Sequence, residues 1–163
     1  MPSFYSYHIS PWGPLLIFAD GQYLTGLYFA DEGHCPPIAS DSIENEDAYP
    51  FSLTIEQLNR YFEGSLREFS LPLMTWGTDF QKRVWQALTG IPYGKTMTYT
   101  QLAYQVGSPR STRAVGQANG RNPVSIIVPC HRVIGADGSL TGYGGGINRK
   151  RALLEFEARN CPA

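Results

Sequence analysis

The sequence predicts an α+β (α/β) protein of two modules, a small sheet with one helix followed by a mostly helical half. Three observations carry this. Short β-prone runs around an Asp-Gly turn fill the first part of the chain. From residue 78 onward the apolar spacing becomes helical and is punctuated by two capping boxes. The charge divides at the same place. Residues 1–77 hold two basic residues against ten acidic ones, net −8, and residues 78–163 hold eleven against four, net +7. The expected domains are therefore 1–77 and 78–163, a division that 163 residues can accommodate.

In the first module, Phe4 to Ile9 is aromatic and β-prone, and Leu15 to Ala19 is a short apolar strand. Asp20-Gly21 signals a hairpin, with Gln22 to Phe29 as the return strand. Residues 31–50 are polar, acidic and proline-bearing, and read as a loop. Ser52 to Glu63 predicts a helix with Ile55, Leu58, Tyr61 and Phe62 on one face and Gly64 as its stop. A short strand is expected near Phe69-Ser70-Leu71, then a linker from Pro72 to Gly77.

The second module opens with the capping box Thr78-Asp79-Phe80-Gln81, ahead of a helix that aligns Phe80, Val84 and Leu88. A turn follows at Ile91 to Gly94. Thr98-Tyr99-Thr100-Gln101 is a second capping box, and its short helix ends at Gly107. Ser108-Pro109 then predicts a new helix start, running from about Arg110 to Asn119. A short helix, a tight turn and a second helix form a helix-turn-helix pattern over about 98–119. The second helix sets Arg110 and Arg113 beside the small residues Ala114, Gly116 and Ala118, which suits close approach to another surface. Val124 to Val128 reads as a buried strand, Asp137-Gly138 as a turn, and Gly142 to Gly146 as a glycine-rich loop. The last helix runs from Asn148 to about Arg159. Its first turn carries Arg149, Lys150 and Arg151, the wrong sign for the helix dipole and thus a candidate phosphate-facing cluster.

Composition narrows the function. With 42% hydrophobic residues the chain can bury a core, yet its longest apolar runs are far short of the roughly 20 residues that cross a bilayer. No basic start precedes an apolar stretch, so no signal peptide is expected and a cytoplasmic protein is (nuclear in a eukaryote). Three widely spaced cysteines, Cys35, Cys130 and Cys161, make a disulfide framework improbable. His34-Cys35 and His8 lack ligand spacing, so no metal is expected. The basic second half points to a polyanionic partner, nucleic acid first.

The chemistry centres on Val128-Pro129-Cys130-His131-Arg132-Val133. A thiolate is the reactive form of cysteine, and an imidazole or nearby cation favours it. On a strand Cys130 and His131 would point to opposite faces, so a bridging water is the expected link. An imidazole base needs an orienting carboxylate. The second half offers Asp79 and Asp137, which look like capping and turn residues, and Glu155 and Glu157 on the last helix. Spacing does not choose between them.

The run Asn122 to Val133 resembles the active-site signature of the O6-alkylguanine-DNA alkyltransferases. The resemblance spans roughly 78–158, through Arg113-Ala114-Val115-Gly116, Gly142-Tyr143 and Leu153 to Glu157; residues 1–77 resemble that family's variable N-terminal domain only loosely. It implies a ribonuclease-H-like first domain and a winged helix-turn-helix second domain. It implies Cys130 as alkyl acceptor, His131 as base through a water, Glu157 orienting His131, and Asn122 bracing the turn. Arg113 would fill the base stack where guanine leaves. Tyr99 would contact the phosphate and the flipped base, and it is a candidate proton donor. Tyr143, with the backbone of Val133 and Gly144, would line the base pocket. Thr100, Ser108 and Ala114 complete the implied DNA-facing set. Some relatives carry serine at the position of Gly144; the backbone donor survives that change and a side-chain contact does not.

The implied activity is DNA repair: irreversible, one-turnover transfer of an alkyl group from O6-alkylguanine (O4-alkylthymine is a further candidate) to Cys130, with minor-groove binding and base flipping. The implied partner is double-stranded DNA carrying the lesion. The protein would be a monomer, with cooperative assembly on DNA left open. No cofactor is expected. Two rivals differ in class. A cysteine hydrolase using Cys130, His131 and Glu157 would turn over repeatedly. A helix-turn-helix regulator or a non-catalytic lesion binder would not react; lesion binders of this kind lack the acceptor cysteine, which is present here.

Overall fold

The computed structural model describes residues 3–161 and divides the chain into two compact units, one up to Thr75 and one from Trp76. Each is α+β. Among the described residues no helix is long and apolar enough to cross a membrane.

In the first unit a four-stranded sheet of order β3-β2-β1-β4 packs on one helix. β1 (Phe4–Ser10) and β2 (Gly13–Ala19) pair antiparallel, and β3 (Leu24–Phe29) continues the meander. The Asp-Gly turn is longer than a two-residue hairpin. Asp20 Oδ1 accepts from Gln22 N and Tyr23 N at 2.9 and 2.8 Å, which delays the return strand to Leu24. Leu15, Ile17, Leu27 and Phe29 are wholly buried, as are Phe51, Leu58 and Tyr61 of α1 (Phe51–Phe62).

Two expectations in this unit fail. The stretch 31–50 is not all loop: β4 (Ile43–Glu44) pairs parallel with Phe4 and Tyr5. Two residues in an acidic segment carry no periodicity, and the pairing is made by backbone bonds, Ile43 N to Ser3 O at 2.9 Å and Asn45 N to Tyr5 O at 3.1 Å. Conversely, Phe69-Ser70-Leu71 is not a strand. The Gln57 side-chain amide occupies the place of a neighbouring strand there. It donates to Ser70 O and accepts from Ser70 N, both at 2.9 Å. Only Leu73 bridges the sheet, to Leu24.

The second unit is mostly helical. Both capping boxes form as read: Thr78 opens α2 (Asp79–Leu88) and Thr98 opens α3 (Tyr99–Gln105), each with its reciprocal glutamine. Gly107, at φ 79°, takes the left-handed conformation that ends α3. The next helix starts later than expected. Ser108, Pro109 and Arg110 form a turn, with Ser111 N donating to Ser108 O at 2.9 Å, and α4 is Thr112–Gly120. Trp85 Nε1 donates 2.8 Å to Ala118 O, tying α2 to α4. A small parallel pair, β5 (Met97–Thr98) with β6 (Val133–Ile134), was not foreseen. The closing helix, α5 (Ile147–Asn160), extends one residue further at each end than expected.

The expected strand at Val124 to Val128 is a coil of buried turns, and Cys130–Arg132 is a single 3₁₀ turn. The cause is local. The Asn122 side chain accepts from Val124 N at 3.0 Å and donates to Val128 O at 2.7 Å, pulling the run back on itself. Ile126 is forced to φ 70°. That conformation costs a β-branched residue on the order of 1–3 kcal/mol, so the surrounding packing must over-determine it.

Thr98→Ala removes a cap acceptor from the helix that carries Tyr99. Urea unfolding should show a loss of about 1 kcal/mol.

Candidate active site

Cys130 begins the 3₁₀ turn and is 3% exposed. Asn119 Nδ2 of α4 donates to its carbonyl at 3.3 Å. Because the run is a 3₁₀ turn, the opposite-face argument for adjacent strand residues does not apply to Cys130 and His131.

His131 and Arg132 both reach one carboxylate. α5 presents Lys150, Leu153 and Glu157 on one stripe, at intervals of three and four residues, and all three are wholly buried. Glu157 Oε2 accepts from His131 Nε2 at 2.7 Å and from Arg132 Nη2 at 3.0 Å. Its Oε1 accepts from Arg132 Nε at 2.8 Å and from Gly94 N at 3.2 Å. Arg132 Nη1 goes to Ile91 O at 2.7 Å, and its guanidinium lies over the Tyr93 ring at 5.6 Å. Four donors thus saturate a carboxylate that water does not reach.

The electrostatics follow from that saturation. Burial alone would raise the Glu157 carboxyl. The hydrogen bonds and charges of His131 and Arg132 outweigh it and hold the acid well below the usual carboxylate range. For His131 burial dominates and lowers its pKa; Glu157 pulls the other way, while Arg132 and Lys150 add to the fall. The imidazole is therefore neutral near pH 7. An ionised carboxylate has no proton to give, so Nε2 carries the hydrogen and Nδ1 is the acceptor. Nδ1 is buried and has no hydrogen-bond partner among the described residues. A buried, neutral, oriented imidazole thus stands next in sequence to a buried thiol.

Tyr99 lies half-buried at the start of α3. Its hydroxyl donates to Thr141 O at 2.8 Å. Burial raises its pKa, a negative charge on Cys130 adds to that, and hydrogen bonds to Thr141 and Asn119 oppose it. Gly142 lets the loop pass over this hydroxyl: a Cβ there would sit 3.0 Å from it, and the residue has φ 70°. Val133 and Tyr143 are buried and Gly144 half-buried. Arg113, Ala114 and Thr100 are exposed, whereas Ser108 is half-buried.

The fold thus joins His131 to Glu157 directly, and ties Asn122 to the turn that carries Cys130. The expected phosphate-facing cluster on α5 is corrected in one member. Lys150 points inward, donating to Thr141 O at 2.8 Å and to Tyr99 OH at 3.4 Å. The sequence carried a signal for this, since Lys150 shares the helical stripe of Leu153 and Glu157. Arg132 was read only as a cation near the thiol, but it is committed to Glu157. Nothing in the sequence pointed to Ile91 O, Gly94 N or Thr141 O, because backbone atoms have no residue signature.

The model for the ribonuclease-like domain of 6-O-methylguanine DNA methyltransferases matches residues 3–75, and that for their DNA-binding domain matches 79–159. The chain belongs to the 6-O-methylguanine DNA methyltransferase family. Curated relatives named methylated-DNA–protein-cysteine methyltransferase agree. One from Mycobacterium tuberculosis is 54% identical over 154 residues, covering 94% of this chain and 92% of its own. One from Methanosarcina barkeri is 49% identical over 151 residues, covering 93% and 94%. Among solved structures, a Mycobacterium tuberculosis OGT in complex with DNA superposes with TM-score 0.90 at 52% identity, covering 98% of this chain and 96% of that one. A methyltransferase of this family from Pyrococcus kodakaraensis gives TM-score 0.63 at 27% identity, covering 95% and 98%. The match to both domain models also fits the two α+β units described above.

Glu157 should leave a pH signature. Its carboxyl sits near 4.3 when unfolded and well below that when folded, so its stabilisation is complete at neutral pH and is lost as pH falls below about 5. Glu157→Gln strands Arg132 and should cost about 3–5 kcal/mol at pH 7 in urea unfolding. The gap from wild type should narrow as the pH is lowered toward the folded value.

Proposed function

We propose that this protein repairs alkylated DNA by moving an alkyl group from O6-alkylguanine onto its own Cys130 sulfur. The observation that carries the reading is the buried His131, neutral and fixed through Nε2 by Glu157, immediately after a buried cysteine. That pairing lies within residues matched to the DNA-binding domain of this family. The protein's partner is DNA. Its acting as a cytoplasmic monomer, and its selectivity for lesion-bearing duplex, are part of the proposal.

The sequence of events follows from the chemistry. The reacting carbon lies inside the duplex, so the nucleotide must rotate out, at a cost of a few kcal/mol. Arg113, exposed on α4 with the small Ala114 next to it, is suited to fill the vacated stack. Thr100 and Ser108, at the start of α3 and in the turn before α4, are suited to phosphate. Tyr143, Val133 and Gly144 would wall the base pocket. There His131 Nδ1 takes the Cys130 proton through a water. The thiolate attacks the alkyl carbon, the S–C bond forms, and the C–O bond breaks with its electron pair moving to guanine. Tyr99 supplies a proton to the leaving base. Asn122 holds the strained turn that aims Cys130. The product is a thioether, with no carbonyl for water to attack, so each molecule acts once.

Incubation with duplex DNA containing O6-methylguanine should add one methyl mass to the Cys130 peptide and stop at one equivalent. Methyl on Cys35 or Cys161, or turnover beyond one equivalent, would overturn the assignment.

A further inference from the structure

Asn119, in the last turn of α4, is 1% exposed, and the reaction above does not use it. Its amide nitrogen is engaged on two sides. Nδ2 donates to Cys130 O at 3.3 Å. The side chain also bonds the Tyr99 hydroxyl and lowers its pKa, which is the effect of a donor on a phenol oxygen and so belongs to the same nitrogen. These two bonds fix the amide. Turned over, it would set Oδ1 against the Cys130 carbonyl, one acceptor facing another.

The other end of the amide is in a different position. Oδ1 is buried and has no hydrogen-bond partner among the described residues. A buried acceptor without a donor is costly, so holding Cys130 O does not account for the carbonyl end of this side chain. The oxygen is two bonds from a nitrogen that touches both Cys130 and Tyr99. Those are the residues assigned above to the alkyl carbon and to the base. A base whose alkyl carbon reaches Cys130 while its ring meets Tyr99 lies against this amide.

We propose that Asn119 Oδ1 accepts a hydrogen bond from the 2-amino group of the flipped guanine and makes the protein selective for O6-alkylguanine. The inference rests on the alkyl-transfer reading above and deepens it by naming what the pocket reads. Alkylation at O6 leaves N1 without a hydrogen. N1, N3 and N7 of the lesion are then all acceptors, and N9 is bonded to the sugar. The 2-amino group is the one N–H donor the damaged base can offer an orphaned carbonyl. O4-alkylthymine has lost the N3 hydrogen in the same way and has no N–H at all. It would leave Oδ1 buried and unpaired. A site built to bond a substrate N–H rejects the analogue that lacks it.

Two duplexes that differ in one group test this. One carries O6-methylguanine, the other O6-methylhypoxanthine, in which hydrogen replaces the 2-amino group. Single-turnover methyl transfer is followed by the mass of the Cys130 peptide, with thermal melting as the check on folding. The wild type should favour O6-methylguanine by on the order of 10- to 100-fold, the range for one buried acceptor left unpaired. Asn119→Leu, close to asparagine in size and without an acceptor, should bring that ratio near one. Asn119→Ala should do the same if the leucine variant does not fold. Losing the bond to Cys130 O slows both substrates alike, so a merely structural role leaves the ratio unmoved. Equal rates on the two duplexes in the wild type, or an unchanged preference in a folded variant, would overturn the proposal. Failure of the wild type to accept methyl from O6-methylguanine would instead refute the alkyl-transfer reading.

Discussion

The Glu157 carboxylate is the fixed point of the second unit. It is wholly buried on α5 and accepts from donors on two separate stretches of chain, the turn at Gly94 and the 3₁₀ turn at His131 and Arg132. A buried charge is tolerated only when paired and hydrogen-bonded. Satisfying this one therefore dictates where three segments meet. Arg132 serves Glu157 with two nitrogens and spends a third on Ile91 O, so the same guanidinium closes the turn that supplies Gly94. The His131 ring is positioned as a consequence of this packing.

The same arrangement sets protonation states. A lone carboxylate beside His131 would favour an imidazolium, which cannot accept a proton. Arg132 cancels that carboxylate, and burial then keeps the ring neutral. The turn before Cys130 is held by Asn122, whose amide accepts from Val124 N and donates to Val128 O, with Ile126 strained between them. Strain of this kind persists where surrounding bonds over-determine it, and here it lies four residues before Cys130.

How much was legible in the sequence depended on whether the signal was a side chain or a backbone atom. The capping boxes at Thr78 and Thr98 were readable because both partners are residues at fixed spacing. The two-module α+β organisation was readable from periodicity and charge. The run from Val124 to Val128 was misread, because its apolar composition is that of a buried strand while its conformation is imposed by Asn122. β4 and the false strand at Phe69 failed because backbone bonds have no residue signature: one is joined by main-chain bonds across a two-residue pair, the other imitated by the Gln57 amide. In the site, His131 and Glu157 were singled out, but spacing alone could not select Glu157 over Glu155, since the choice depends on which face of α5 is buried. Lys150 was misassigned by treating three consecutive cations as one cluster, although neighbours on a helix point some 100° apart.

Everything above turns on His131 being a neutral imidazole with its proton held on Nε2 by Glu157. Nitrogen-15 NMR of the imidazole ring tests it most directly. At pH 7 that state predicts one protonated nitrogen, Nε2, and one bare nitrogen, Nδ1. Two protonated nitrogens, the signature of an imidazolium, or a proton residing on Nδ1, would contradict it.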